Sequence, residues 1–209
     1  MRSISSGAAP LPVELINTLR ARFGADTVIA EAYGLTEVTM GATANPGGRS
    51  EVRKVGTVGL PVFDTQIKLV REDWPEGPEA PLPVGEHGEV CVRGPQVMAG
   101  YLNRPEETAQ VLVDGWLHTG DIGVLDEDGF LSIVDRKKDM LLYKGYNVYP
   151  RQLEEKLFAQ PGVRAAAVVG RPDPAVGELP VAFVVGTDLD PEALREAVNA
   201  ELLPYQRLR

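Results

Sequence analysis

From Gly56 to Val134 the chain is written in short apolar alternations cut by glycine and proline, a texture that reads as brief strands joined by tight turns. Thr65, Ile67 and Leu69 alternate, Val90 and Val92 repeat the pattern, and Ile122 to Leu125 form a third apolar run. Asp126, Glu127, Asp128 and Gly129 separate two such runs. The glycine supplies the positive φ that a tight hairpin requires. Trp74 to Gly88 carries four prolines and several acids without periodicity, which predicts a surface loop. This stretch is expected to form a small β-rich unit.

The flanks read differently. Leu15, Ile16, Leu19 and Phe23 recur at helical spacing, with Pro12 suited to a first turn and Gly24 to a C-terminal cap, so a helix is predicted over 12–23. Thr27 to Ala30 predicts a short buried strand leading into EAYGLTE. α/β proteins place ligands where a strand runs into such a loop. After Val134 come the charge cluster DRKKD, a glycine-containing loop, a helix over 151–158, strands over 165–169 and 181–185, and a helix opening at Asp190 and Pro191. That order predicts a small α+β domain with the polar cluster as its boundary. The predicted class is therefore α/β plus α+β.

Composition narrows the function. Of 209 residues, 44% are hydrophobic, enough for a sizeable core or two small ones. Lys and Arg total 21 against 30 Asp and Glu, and the net charge of -9 disfavours nucleic acid and anionic membrane as partners. Cys91 is the single cysteine, which excludes an internal disulfide and any multi-cysteine metal site. No run approaches the ~18 apolar residues of a membrane span, and the N-terminus lacks the pattern of a secretory leader. A soluble, cytoplasmic protein is expected. Met1 is followed almost at once by SISSGAAPLP with no preceding element to support it, so the start reads as internal.

Three loops carry chemistry. In YGLTE, Tyr33 offers an aromatic face, Gly34 a close backbone approach, Thr36 a hydroxyl and Glu37 a carboxylate. These parts suit a base, a phosphate and Mg2+, which is held by one or two carboxylates together with substrate phosphates. Taken alone, such a pentapeptide is more often a capped loop. HTGD sets Asp121 at the expected start of a strand, where it can accept from a ribose diol; the alternative is a plain turn. In DRKKDMLLYKGYNVYP, Arg136 offers a permanent guanidinium fork, and Lys144 with Gly145 makes a basic loop open to a ligand. A charge run is usually only a solvated face. His87 and His118 support no Ser/His/Asp or Cys/His constellation. Cys91 reads as core, and neither a Walker loop nor G-x-G-x-x-G occurs.

SSGAAPLP, EAYGLTE, GEVCVRGPQVMAGYLNRPEETA, GWLHTGDIG and DGFLSIVDRKKDMLLYKGYNVYPRQLEE stand in one order along nearly the whole chain. In that order and spacing the chain resembles the adenylate-forming superfamily of acyl-CoA synthetases, firefly-type luciferases and peptide-synthetase adenylation domains. The resemblance implies a C-terminal portion of the family fold, with the last α/β part and a small β-barrel-like subdomain of the large domain followed by a small α+β domain. Residues 1–134 would be the end of the large AMP-binding domain, 135–138 the hinge, and 139–209 an incomplete small C-terminal domain. It also implies a two-step reaction using ATP, Mg2+ and coenzyme A, in which a small carboxylic acid becomes an acyl-adenylate and then a thioester.

Site roles follow from the same resemblance. Gly7, Ala8 and Ala9 would line the adenine pocket, Tyr33 with Gly34 would meet the base, and Thr36 would touch phosphate. Glu37 would assist Mg2+, Asp121 and Arg136 would bind the ribose hydroxyls, and Lys138 would be the pivot. Lys144, Gly145 and Tyr146 would approach the coenzyme A tunnel. DRKKDM with YKGYNVYP is more similar to fatty-acyl or aryl-acid ligases than to peptide-synthetase domains, and a medium- or long-chain fatty acid is the expected substrate. The family's upstream phosphate loop and downstream catalytic lysine lie outside these 209 residues. The chain alone is therefore expected not to release pyrophosphate, with a nucleotide-binding, non-catalytic product as the alternative. Residues before about Lys54 are expected to be poorly ordered or aggregation-prone in isolation, because strand edges there lack partners and apolar surface is exposed.

Overall fold

A computed structural model describes residues 3–8, 11–47, 52–71 and 80–209. The chain divides into two compact units, Met1–Ile133 and Val134–Arg209.

In the first unit, β1 (Ser3–Ser6) pairs in parallel with β2 (Val28–Tyr33), with α1 (Val13–Phe23) as the crossover. Parallel neighbours require such a crossover, and the helix that the apolar spacing predicts supplies it. Ile16 is buried on α1, whereas Val13, Leu15 and Phe23 stay substantially exposed. The predicted strand runs three residues further than Ala30, so Glu31, Ala32 and Tyr33 belong to β2 rather than to the loop. β3 (Thr43–Ala44) and β4 (Leu60–Pro61) extend the sheet antiparallel.

The predicted β-rich stretch forms a second sheet of β5 (Gln66–Val70), β6 (Gly88–Arg93), β8 (Trp116–Leu125) and β7 (Leu112–Val113), with β9 (Leu131–Arg136) on β8. α2 (Pro105–Val111) precedes β7, a helix that the strand-rich texture conceals. Of the predicted loop over 74–88, residues 74–79 lie outside the described residues and Gly88 already belongs to β6. The Asp126–Gly129 turn closes with Gly129 N–H on the Asp126 carbonyl at 3.0 Å and Gly129 at φ 81°. Val38, Ala42, Leu69, Val90, Val92, Leu117 and Leu131 form the core.

The second unit is a four-stranded antiparallel sheet in the order β11 (Tyr146–Val148), β10 (Leu141–Tyr143), β13 (Gly177–Gly186), β12 (Val163–Asp173). α3 (Pro150–Phe158) and α4 (Pro191–Ala200) pack on it through Leu153, Leu157 and Val198, which join Leu141, Val148 and Val168 in one core. The Asp190 carboxylate accepts from the N–H groups of Glu192 and Ala193, capping α4 as its sequence predicts. Both strands of the β12–β13 ribbon run well past the apolar runs that reveal them.

Candidate functional site

Two segments leave the C-terminal ends of the parallel pair β1–β2, the edge where open α/β sheets bind ligands. Gly7 and Ala8 follow β1. A Cβ on Gly7 would meet the Ala32 carbonyl at 3.4 Å, and Ala8 takes φ 66°. Ala9 lies outside the described residues.

The other segment is the loop from Gly34 to Ala42, closed by Ala42 N–H on the Tyr33 carbonyl at 2.9 Å. A Cβ on Gly34 would stand 1.7 Å from the Met40 carbonyl oxygen, so glycine is required for the loop to fold back on itself. Thr36–Val38 make one 3-10 turn, and Thr39 and Met40 follow at φ 50° and 78°. Two successive non-glycine residues in the left-handed region cost of order 1 kcal/mol each, so the surroundings must hold them there. The segment 96–98 does so. Met98 N–H bonds the Glu37 carbonyl at 2.7 Å, and the Thr39 hydroxyl donates to the Gln96 carbonyl at 2.9 Å. The Gln96 amide reaches the Gly41 carbonyl at 3.2 Å and Thr65 Oγ1 at 2.7 Å. Buried Val38 and Ala42 pin the loop from below.

This leaves the Thr36 hydroxyl exposed and the Glu37 carboxylate half-buried. Tyr101 donates its hydroxyl to Glu37 Oε1 at 2.7 Å, and that bond, with lesser burial, pushes the tyrosine pKa up. Glu37 Oε2 is not part of that bond. Among the described residues no three His, Cys, Asp or Glu groups form a metal cage. One carboxylate beside a hydroxyl fits Mg2+ carried in on phosphates, and does not fit a dedicated protein cage.

Tyr33 and Asp121, 88 residues apart, meet directly: the phenol donates to Asp121 Oδ2 at 2.6 Å. Asp121 does not open a strand as its motif suggests. It lies in the middle of β8, on an outward bulge made by Thr119, Gly120 and Asp121. The strand extends upstream to Trp116 because Trp116 and Leu117 pair with Val113 and Leu112.

The remaining predicted residues belong to the second unit. Arg136 ends β9 and is exposed, as is Lys138 in the turn that follows. Asp135 is buried, and its carboxylate accepts the N–H of Arg136 at 2.8 Å and that of Arg151 at 3.0 Å. It thereby caps α3, whose own N-cap residue Tyr149 has no capping side chain. Burial pushes the Asp135 pKa up despite these bonds. Lys144 and Gly145, at φ 52° and 80°, form the two-residue hairpin between β10 and β11, and Lys144 N–H bonds the Val176 carbonyl at 2.7 Å. Tyr146 is exposed and stacks on Tyr205 with ring centroids 4.8 Å apart. The Arg209 guanidinium is the main influence holding the neighbouring Tyr143 phenol below its usual pKa.

Sequence reasoning missed Tyr101, Gln96 and Asp135. Gln96 and Tyr101 stand in a run of strand and turn texture, and their partners Gly41 and Glu37 lie more than 50 positions away, so spacing carries no trace of them. Asp135 is distant in the same way, 16 positions before the Arg151 N–H that it accepts.

The profile of the AMP-binding enzyme family matches residues 1–102, and that of the AMP-binding enzyme C-terminal domain matches residues 152–209. The chain belongs to the AMP-binding enzyme family. Feruloyl-CoA synthase of an Amycolatopsis species is 40% identical over 211 residues, covering 99% of this chain and 41% of that protein. A long-chain-fatty-acid–CoA ligase of Salmonella typhimurium is 49% identical over 180 residues, covering 85% of this chain and 31% of that protein. Among solved structures, ATP-bound MatB from Rhodopseudomonas palustris superposes with a TM-score of 0.88 at 32% identity, over 98% of this chain and 40% of that one. The o-succinylbenzoate CoA synthetase of Bacillus subtilis, in complex with its acyl-adenylate, gives 0.85 at 32% identity, over 99% and 41%. The chain thus spans well under half the length of the relatives it matches. Among the described residues no helix is long and apolar enough to cross a membrane.

Proposed function

We propose that this chain is the nucleotide-binding and hinge portion of an ATP-dependent acid–CoA ligase. In this reading a carboxylate attacks the α-phosphate of ATP, forming an acyl-adenylate and releasing pyrophosphate, and the thiol of coenzyme A then displaces AMP. The observation that carries the reading is the Tyr33–Asp121 hydrogen bond, which sets an aromatic face beside a carboxylate at the C-terminal edge of β1–β2. That pair suits a nucleoside: ring against base, carboxylate accepting from ribose hydroxyls.

The other roles follow. Gly7, Ala8, Ala9 and Gly34 border the base, Thr36 meets phosphate, and Glu37 holds Mg2+ with the phosphates. Arg136 is read as a ribose-binding residue, Lys138 as the pivot of a hinge over 135–138, and Lys144, Gly145 and Tyr146 as residues for coenzyme A. ATP bound with magnesium supplies the leaving group, while the chain's own side chains supply orientation and charge compensation at phosphorus. A long-chain fatty acid is the favoured substrate because the fatty-acid ligases among the relatives reach 46% to 49% identity. An aryl acid is the second reading, supported by the feruloyl and coumarate ligases that align over 99% to 100% of the chain.

Calorimetric titration of the purified chain with AMP and GMP tests the nucleoside reading. AMP is expected to bind in preference to GMP and to lose affinity in Tyr33→Ala and Asp121→Ala; equal affinity for both nucleotides, unaffected by either substitution, would refute it. Thioester formation assayed on the full-length protein with fatty and aryl acids decides the substrate class.

A further inference from the structure

We propose that Glu89 is a positioning residue for Asp121, acting through the β8 bulge. The strands β6 and β8 pair regularly at Gly88–Gly123 and Glu89–Ile122, and again at Cys91–His118 and Val92–Leu117. Between these registers Val90 alone faces Thr119, Gly120 and Asp121. Such a bulge strips ladder partners from the backbone groups of both strands, and buried backbone groups must find others.

Side chains supply them. The Thr119 hydroxyl donates to the Val90 carbonyl at 2.8 Å and accepts the Asp121 N–H at 3.1 Å. Gly120, at φ 73°, turns its N–H inward to Glu89 Oε1 at 3.1 Å. The Glu89 side chain is only 6% exposed, and its Oε2 faces the equally buried His118 ring, 3.7 Å from Nδ1. Cys91 Sγ lies 3.5 Å from the same nitrogen.

A buried carboxylate is costly, and an apolar residue would pack a β-core more cheaply. What Glu89 adds is an acceptor for the Gly120 N–H, which the bulge turns into the protein. With that N–H held, the next residue projects outward, and its carboxylate meets the Tyr33 hydroxyl at 2.6 Å. Glu89 touches no ligand in this scheme. It sets the direction of Asp121.

The test uses the full 209-residue chain labelled with [13Cζ]tyrosine, the Tyr33 resonance being assigned from Tyr33→Phe. Asp121→Ala marks the position of that resonance when the carboxylate is gone. Glu89→Asp withdraws the buried carboxylate by one methylene, and Glu89→Ala removes it. Both are expected to move Tyr33 toward the Asp121→Ala position, while Glu89→Gln, which keeps an acceptor at full reach, stays near wild type. If Glu89→Ala fails to fold, Glu89→Asp decides. A folded Glu89→Asp variant with Tyr33 unmoved would overturn the proposal.

A second arm rests on the ribose reading of Asp121 and compares AMP with 2′,3′-dideoxy-AMP. Asp121→Ala and Glu89→Asp are expected to cut the preference for AMP by about tenfold, the worth of a hydrogen bond to a charged group. A merely structural role for Glu89 would weaken both nucleotides alike and leave the preference intact, which counts against the proposal. If Asp121→Ala itself leaves the preference intact, the ribose reading fails and the tyrosine spectrum still decides the role of Glu89.

Discussion

Replacing Gly34 by alanine tests how tightly the Tyr33–Ala42 loop is set. The added Cβ would stand 1.7 Å from the Met40 oxygen, 2.4 Å from the Met40 carbon and 2.9 Å from the Gly41 nitrogen, all backbone atoms that no rotamer change can move aside. Relief requires the two strands of the loop to part by roughly 1.5 Å or more. The partners do not permit that without loss, because Ala42 N–H to Tyr33, Gln96 to Gly41 and Met98 N–H to Glu37 all cross the region that must open. Overpacking of about 1–3 kcal/mol, together with at least one hydrogen bond worth about 1 kcal/mol, predicts a destabilisation of roughly 2–4 kcal/mol.

Gly41 is a matched control. Neither glycine has a positive φ, and a Cβ on Gly41 would meet nothing within 4 Å, so Gly41→Ala is expected to be close to neutral. Urea denaturation followed by tryptophan fluorescence reports the first unit, which holds both tryptophans, at positions 74 and 116. Gly34→Ala should lower the midpoint well below that of Gly41→Ala. Equal midpoints would mean that the close crossing of Gly34 and Met40 does not exist in solution. The loop carrying Thr36 and Glu37 moves with the crossing, so nucleotide affinity should fall in Gly34→Ala even where the variant remains folded.

Three further outcomes are expected. Asp190→Ala removes the α4 cap and should cost about 1 kcal/mol, read as faster amide exchange in β12 and β13, whereas Asp190→Asn should be nearly neutral. Lys54 bridges Asp126 at 2.5 Å and Asp128 at 2.6 Å, and with the N–H groups of Phe130 and Asp128 it holds the Asp126 pKa below the usual carboxylate range. The stability this adds is present above the ordinary carboxylate pKa and disappears as pH falls through the depressed value, so the urea midpoints of wild type and Asp126→Asn should converge in acid. Asp135 has the opposite sign. Burial raises its pKa, the folded chain holds that proton more readily than the unfolded one, and its contribution to stability falls as pH rises from the ordinary value through the raised one. Circular dichroism of wild type against Asp135→Ala over that window checks it, and a contribution that grows with pH would contradict the burial argument.

α1, α3 and α4 were legible because periodicity and caps are local: Pro12 and Gly24 bracket one helix, and Asp190 with Pro191 opens another. The strands were legible as apolar runs, yet their ends were not. β2 continues through Glu31 and Tyr33, and β12 through Arg171 and Asp173, because an already paired neighbour carries polar residues along the ladder. α2 was hidden for the converse reason: PEETAQV has no buried residue and hence no apolar stripe to announce it. Of the candidate site, Tyr33, Thr36, Glu37 and Asp121 stood out by residue type. What holds them did not, because Glu89, Gln96 and Tyr101 act across 31 to 64 positions of sequence.

The irregular backbone of the first unit is concentrated where the candidate ligand residues stand. Thr39 and Met40 adopt left-handed conformations directly after Thr36 and Glu37, and β8 breaks its ladder directly before and at Asp121. A regular hairpin would alternate these side chains between two faces and could not direct Tyr33, Glu37 and Asp121 from one edge. Each irregularity is backed by a side chain that satisfies the displaced backbone group: Gln96 at Gly41, Thr119 and Glu89 at the bulge. Removing a ligand-facing group should therefore cost binding with little stability, since it relieves no backbone. Removing a supporting group should cost both, since the irregular backbone loses its partner first and the ligand-facing group loses its aim as a result. Asp121→Ala and Glu89→Asp, compared in affinity and in urea midpoint, separate the two classes.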